Sequence, residues 1–436
     1  MANLTLLRLR APALLGWPLF LLAACGGSDV PEAPDAGLDP DAGTIAGDAG
    51  TVGVDAGPGD DSLFAVTTQV ISGSDTSGYL VLTPSVTATQ TLELSTALEL
   101  PGRAIAVGPA EGEAVFVSSD EAPTLTRYDL RGTSLVRGQT LSFAIRGVSS
   151  ISEYQSQIYF VRSDKAYYFD PLTGQAIIWN PETMTISGGV DISGVQRADS
   201  LPFFSQTPPK RIGDELFYPL GWLTSDRAGT REASAMVVLN VETDEATVVV
   251  DERCAWARDG VSAPDGFIYL ASETYDAAAR FVDPTRAGPP CMIRFDPVSR
   301  TFDPSFFVPL DDIVNPERFG DYAGMLLPSG EPGRAYLRVM DTSLAGDVVV
   351  PIVVAVSPFW TWWQVELSDS PTASPLANPP PLSSGRNLVL DVGDMLLTPE
   401  VGGEPVTTSL RVITGGRLGD ANTQIRGRVF SVAKVR

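Results

Sequence analysis

Tyr167-Tyr168-Phe169-Asp170-Pro171-Leu172-Thr173-Gly174 is the stretch on which the reading of this chain turns. An aromatic strand ends in Asp-Pro, and Leu-Thr-Gly carries the chain round a turn before the next strand. Ile293-Arg294-Phe295-Asp296-Pro297 ends in the same way and runs into Val298-Ser299-Arg300. Thr126-Arg127-Tyr128-Asp129, Val238-Leu239-Asn240 and Trp363-Gln364-Val365-Glu366 repeat the theme, an apolar or aromatic residue followed by a polar one at a strand end. Weaker members lie near Leu82 and Leu410, which gives seven anchors spaced by 41 to 70 residues. Propeller blades repeat at ~40–50 residues, so the longer intervals require insertions. Arg280 to Pro290 and the Pro/Ser-rich Ser368 to Gly385 are the expected insertions.

Between the anchors the chain alternates with period two from Leu63 onward. Tyr79–Leu82, Ala114–Val117, Gln157–Val161, Met236–Leu239, Gly266–Leu270 and Val348–Val350 are rich in β-branched and aromatic residues and are read as strands. Many short strands imply an all-β sandwich, barrel or propeller. The internal repeat selects a β-propeller of seven blades, with six or eight blades, or a pair of two-sheet sandwiches, as the alternatives. Phe64–Val70 and Arg428–Val435 both read as strands, and ring closure requires them to share a blade.

Three segments divide the sequence: 1–24, 25–61 and 62–436. The first has Arg8 and Arg10, then twelve mostly apolar residues from Ala11 to Leu22, then Leu22-Ala23-Ala24-Cys25. Charged, apolar and small regions in that order form a secretory signal, and twelve residues are too few to span ~30 Å of hydrocarbon. The terminal Cys makes it a lipoprotein signal, so Cys25 is the expected lipidation site and the membrane is reached through acyl chains. From Gly26 to Asp61 there are nine carboxylates and no basic residue, with Asp-Ala-Gly at Asp35, Asp41, Asp48 and Asp55. Such a segment buries too little apolar surface to fold and is read as a disordered tether. A calcium loop at Asp39-Pro40-Asp41 fails, because Gly43 and Gly50 stand where oxygen ligands belong.

The total charge of −23 divides into +2 for the leader and −9 for the tether, which leaves −16 for residues 62–436. That sign argues against nucleic acid as a partner. The chain has no histidine, which removes Ser-His-Asp and Cys-His catalysis and His-ligated zinc. The expectation is therefore a protein without catalytic residues, metal or cofactor. Paired carboxylates are the remaining route to an enzyme. Cys254 and Cys291 form an even pair in a domain expected to be exported and are read as a disulfide, with two buried free thiols as the alternative.

Phe359-Trp360-Thr361-Trp362-Trp363 places aromatics on both faces of a strand, as expected for a blade packed between neighbours. The functional reading makes Trp360, Trp362 and Trp363, with Trp222 on the same rim and Arg338 beside them, a platform for a planar or anionic ligand. Lys210, Arg211, Arg318 and Arg334 are the other loop cations, and Asp311, Asp312 and Asp321 the carboxylates weighed as calcium ligands or an acid–base pair.

Leu125–Asp129, Lys165–Tyr168, Ile178–Met184, Tyr218–Trp222, Ala335–Val339 and Trp360–Trp363, together with the Asp-Ala-Gly tether, resemble the MxcI-type lipoproteins of myxobacteria. The resemblance implies association with siderophore-mediated iron uptake and, since Gly26-Gly27 follows Cys25, an outer-membrane location. It carries over no binding residues. The expectation is a lipid-anchored envelope propeller that binds a ferric siderophore or an envelope protein. A protein scaffold and a His-free, carboxylate-based glycosidase or lyase are the alternatives.

Overall fold

The computed structural model describes residues 62–436 apart from 74, 110–111, 152–153, 315–321, 394 and 404. Cys25, the leader and the tether lie outside the described residues, as do Arg318 and Asp321.

Seven sheets follow one another along the chain, each of four or five strands. Each packs on the next through its own apolar cluster, so the sheets form a ring, the seven-bladed propeller that the repeat implies. Blade 1 is Arg428–Lys434, Phe64–Ser72, Asp75–Thr83 and Leu98–Pro101, from the axis outward. Blades 2 to 7 start on the axis with Ala104–Val107, Ile158–Arg162, Ser200–Phe204, Ala257–Ser262, Ala323–Pro328 and Leu390–Asp391. The last strand of the chain is thus the innermost strand of the first blade. Its register with Phe64–Ser72 runs from Phe64 opposite Lys434 to Gln69 opposite Arg428. A second clasp lies on the rim, where Gln90–Leu92 adds a parallel strand to Arg417–Arg426 of blade 7.

A blade held between two others buries both faces, and this explains the consecutive aromatics. In Lys165–Asp170, Ala166 and Tyr168 enter the core shared with Phe116 of blade 2. Tyr167 and Phe169 enter the core shared with Tyr218 of blade 4. The anchors are turns in which a side-chain oxygen replaces a ladder partner. Asp170 accepts from the amides of Leu172 and Thr173 at 3.2 and 3.3 Å, and Asn240 from those of Glu242 and Thr243 at 2.9 Å each. Six anchors fall on the third strand of a blade. Asp170 ends a second strand, and the third strand of that blade ends at Asn180.

Three local expectations need correction. Val348–Val350 is not a strand but leads from helix α2 (Thr342–Ala345) into helix α3 (Pro351–Val356). Pro351 has no N–H for a ladder and suits the first turn of a helix. The blade 5 insertion begins before Arg280, with helix α1 (Thr274–Val282). Part of Ser368 to Gly385 is structural, because Thr372–Pro375 is the outer strand of blade 6.

Trp179 is fully buried between blades 2 and 3, with the rings of Phe116, Phe143 and Phe160 centred 5.3, 6.3 and 5.7 Å away. Replacing Trp179 with Ala is expected to cost about 3–5 kcal/mol through lost burial and the cavity left behind. Urea unfolding should show this as a lower midpoint.

Candidate functional site

Of the aromatic and basic residues singled out in the sequence, Arg338 meets Trp360 and Trp362, whereas Trp222 and Trp363 lie in other cores. Trp222, Trp360 and Trp362 are fully buried and Trp363 is 2% exposed. Trp222 lies in the core between blades 3 and 4, its indole N–H donating to the Val195 carbonyl at 2.6 Å. Trp362 faces blade 7, Trp363 faces blade 5, and Trp360 packs among the inserted helices. Arg338 lies on a strand, not in a loop, and is fully buried. Its Nη2 donates to the Trp360 and Ser384 carbonyls and the Ser383 hydroxyl at 2.9, 3.0 and 2.8 Å. The guanidinium lies 4.2 Å from the Trp362 ring centroid, and burial pushes its pKa down to about 9. These five residues form core packing, with no shared open surface. Arg334 pairs with Glu331 and Glu366. Lys210 is on the axial edge of blade 4 and interacts with Asp391 of blade 7; burial lowers the Lys210 pKa and raises that of Asp391. Among the described residues no group of three or more Asp, Glu, Cys or His side chains has the spacing to hold a metal ion.

A different set of charges meets at the centre of the ring, on the face that carries α1. Blade 5 supplies most of it. Its inner strand pairs Ala257 with Ser272 and Asp259 with Ala271, leaving Arg258 as the extra residue of a bulge. Bulges of this kind redirect a side chain. Here both charged residues reach the same segment of blade 4. Arg258 Nη1 donates to the Phe204 carbonyl at 2.6 Å. Asp259 Oδ1 accepts from the Ser205 hydroxyl and the Gln206 amide, both at 3.0 Å. The Arg258 guanidinium lies 4.7 Å from the Trp256 ring centroid and 5.7 Å from that of Tyr154, at the start of blade 3.

Glu273 holds the cluster together. It follows the strand Ile268–Ser272 and caps α1, accepting from the Tyr275 amide at 3.0 Å and the Trp256 indole at 2.8 Å through Oε2. Its Oε1 accepts from Arg386 Nε at 3.0 Å and Gln206 Nε2 at 3.4 Å, and stands 4.0 Å from Arg258 Nη2. Arg386 comes from the crossover into blade 7 and also donates to the Tyr154 hydroxyl at 2.9 Å. Its side chain is 24% exposed, whereas those of Glu273 and Arg258 are wholly buried. Burial pushes the Glu273 carboxyl up, but Arg386 and Arg258 outweigh it and hold the group below the usual range. Burial dominates at Asp259 and raises its pKa. The pKa values of two buried, interacting carboxylates are thereby driven apart.

The Cys254–Cys291 disulfide expected from the sequence is formed and buried. It closes the segment that carries Glu273 and α1, with Cα atoms 5.7 Å apart. The Ser272 hydroxyl beside it donates to the Ala255 carbonyl at 2.7 Å and tightens the same junction.

No protein-family model and no curated protein matches the chain. Solved structures do. A protein from Lactobacillus plantarum aligns over 86% of this chain and 99% of its own at 10% identity, with a TM-score of 0.53. A proposed 6-phosphogluconolactonase from Bacteroides fragilis aligns over 88% and 100% at 12% identity, TM-score 0.51. Another from Bacteroides uniformis aligns over 86% and 100% at 13% identity, TM-score 0.50. At such identities the likeness is one of fold.

Asp276, in the first turn of α1, is fully buried near Glu273 and Arg280 and accepts from the Thr230 hydroxyl. Burial pushes its pKa up from the ordinary 3.8 to about 7. Between these values the folded state holds a proton that the unfolded chain has released. Its contribution to stability is therefore complete at about pH 4 and is lost as the pH rises to about 7. Asp276→Asn should flatten this slope and make the protein more stable than wild type at pH 8, as measured by urea midpoints at pH 5 and pH 8. Asp259 contributes with the same sign and retains its share in the variant.

Proposed function

We propose that this protein is a lipid-anchored β-propeller of the cell envelope that acts by binding, without catalysis of its own. Its ligand or partner engages the centre of the ring, where Arg258, Asp259, Glu273 and Arg386 meet. The observation that supports this reading is the cluster itself: side chains from blades 3, 4, 5 and 7 bring four ionisable groups and Tyr154 to one point. Buried ion pairs add little net stability over well-packed apolar residues, so folding alone gives small reason to keep them. Groups shifted by desolvation and specific charge partners concentrate at functional sites.

The lipobox at Cys25 supports attachment to a membrane, and Gly26-Gly27 with the resemblance to MxcI-type lipoproteins supports the outer one. The resemblance to MxcI-type lipoproteins supports an accessory role in iron–siderophore uptake and makes ferric siderophores the first probes. Titrating the purified protein with ferric and iron-free siderophores and a glycan panel tests the binding reading, by tryptophan fluorescence with calorimetry as control. Trp256, which donates to Glu273, is the tryptophan in contact with the cluster, and Trp256→Phe identifies its share of the signal. Saturable binding that weakens at least about tenfold in Arg386→Ala, which removes a charge-assisted contact, is the expected result. A co-purifying envelope protein, with no response to any small molecule, replaces it with the scaffold reading.

One observation favours a second reading. Asp259 and Glu273 are a carboxylate pair with oppositely shifted pKa values, the pattern used for acid–base work. Turnover of a glycan by wild type that disappears in Asp259→Asn would establish it. For the anchor, Cys25→Ser should move the protein from the membrane fraction to the soluble one, and intact-mass analysis should lose the acyl increments.

A further inference from the structure

We propose that Arg258 and Asp259 together form a receptor for a small carboxylic acid that carries a hydroxyl or ammonium donor on the adjacent carbon. The proposal rests on the reading of the axial cluster as the binding centre and names the ligand class for it.

A guanidinium presents its donors along defined edges, and the edge formed by Nε and Nη2 matches the two oxygens of a carboxylate. In Arg258 the Nη1 side is committed to the Phe204 carbonyl, while Nε and Nη2 are buried and have no hydrogen-bond partner among the described residues. The nearest acid, Glu273, stands 4.0 Å from Nη2, beyond hydrogen-bond reach, and its own oxygens are taken by Trp256, Tyr275, Arg386 and Gln206. Buried donors left unmade cost about 1–3 kcal/mol each, more when charged. The Tyr154 and Trp256 rings lie against this guanidinium, and flat neighbours of that kind favour a planar group in its plane.

The second half of the receptor is Asp259 Oδ2, also buried and without a hydrogen-bond partner among the described residues. Both side chains lean on Phe204–Gln206 of blade 4, so the Arg258 edge and Asp259 Oδ2 belong to one neighbourhood. A carboxylate on Arg258 leaves a donor on the next carbon to meet Oδ2. Arg386, the partly exposed arginine, marks the side from which solvent reaches the cluster. Arg258 and Arg386 face one shared carboxylate, Glu273, which leaves the Arg258 edge for a second.

The test compares lactate, alanine, propionate and lactamide on the purified full chain, by thermal shift and calorimetry. Lactate or alanine should raise the melting temperature and bind saturably; propionate should bind at least about tenfold more weakly, and lactamide not at all. Arg258→Lys, which keeps the charge and loses the fork, should abolish the response. If that variant does not fold, the wild-type comparison of lactate with lactamide still decides. Equal effects of acid and amide, or none from either, overturn the proposal. The binding-centre reading fails separately, when every ligand found for the protein binds Arg386→Ala as tightly as wild type.

Discussion

Everything in this molecule depends on the pairing of Arg428–Lys434 with Phe64–Ser72. A sheet ring built from separate blades has two open edges unless its last strand returns to its first blade. Here the returning strand takes the innermost place, so it also lines the axis. The Thr67 and Ser431 hydroxyls pair at 2.6 Å in the buried centre of the seam, and Ser431 also accepts from the Ala106 amide of blade 2 at 2.8 Å. From the same strand the Val432 amide donates to Gln155 Oε1 at 3.1 Å, fixing the turn that presents Tyr154 to the axial charges. The seam thus connects ring closure to the geometry at the centre.

Two fully buried arginines show how differently the fold uses charge. Arg338 is part of the packing of its region: its Nη2 ties the Trp360 strand to the Ser383–Ser384 crossover, and its plane lies against Trp362. Arg258 makes one hydrogen bond, to the Phe204 carbonyl, and lies near the Trp256 and Tyr154 rings with the Glu273 carboxylate beyond hydrogen-bond reach. In both arginines two buried nitrogens have no hydrogen-bond partner among the described residues. The difference follows from position. Apolar side chains fill the interfaces between blades, but the axis is where inner strands converge without interdigitating. Polar groups gather there, and solvent reaches Arg386 among them.

Much of the architecture was legible in the sequence because it rests on short-range chemistry. Asp170-Pro171 and Asn240-Val241 mark turns whatever surrounds them, and one such mark per blade gives the count of seven. Alternation at Tyr167–Phe169 and Trp362-Trp363 conveys burial on both faces, and in both places the aromatics proved to be core. The disulfide followed from the parity of the two cysteines outside the leader and from the export expected of the chain. Val348–Val350 misled because β-branched residues suit a strand by propensity, while the proline after them commits the chain to a helix. The axial charges were missed for another reason. Arg258-Asp259 reads as a solvated pair of opposite sign, and only the bulge, a property of register, turns both inward. Glu273, between Ser272 and Thr274, belongs to no pattern that marks it in the sequence. The one available signal was Trp256-Ala257-Arg258-Asp259 ahead of an apolar strand, an arginine and aspartate where an inner strand was due.

The seam also dictates an order of events. Thr67 and Ser431 lie 364 residues apart, so three strands of the first blade emerge long before Arg428–Lys434 can join them. Gln90–Leu92 waits almost as long for Arg417–Arg426. Contacts of such sequence separation must be reached against a large loop-closure entropy, and they slow folding. Until then the N-terminal hairpin carries an unsatisfied inner edge, able to pair with the C-terminal strand of another copy. The chain is therefore best kept extended or chaperoned until it is complete. A ring whose first blade is finished by so distant a strand closes late, and its cooperativity is that of the whole circle.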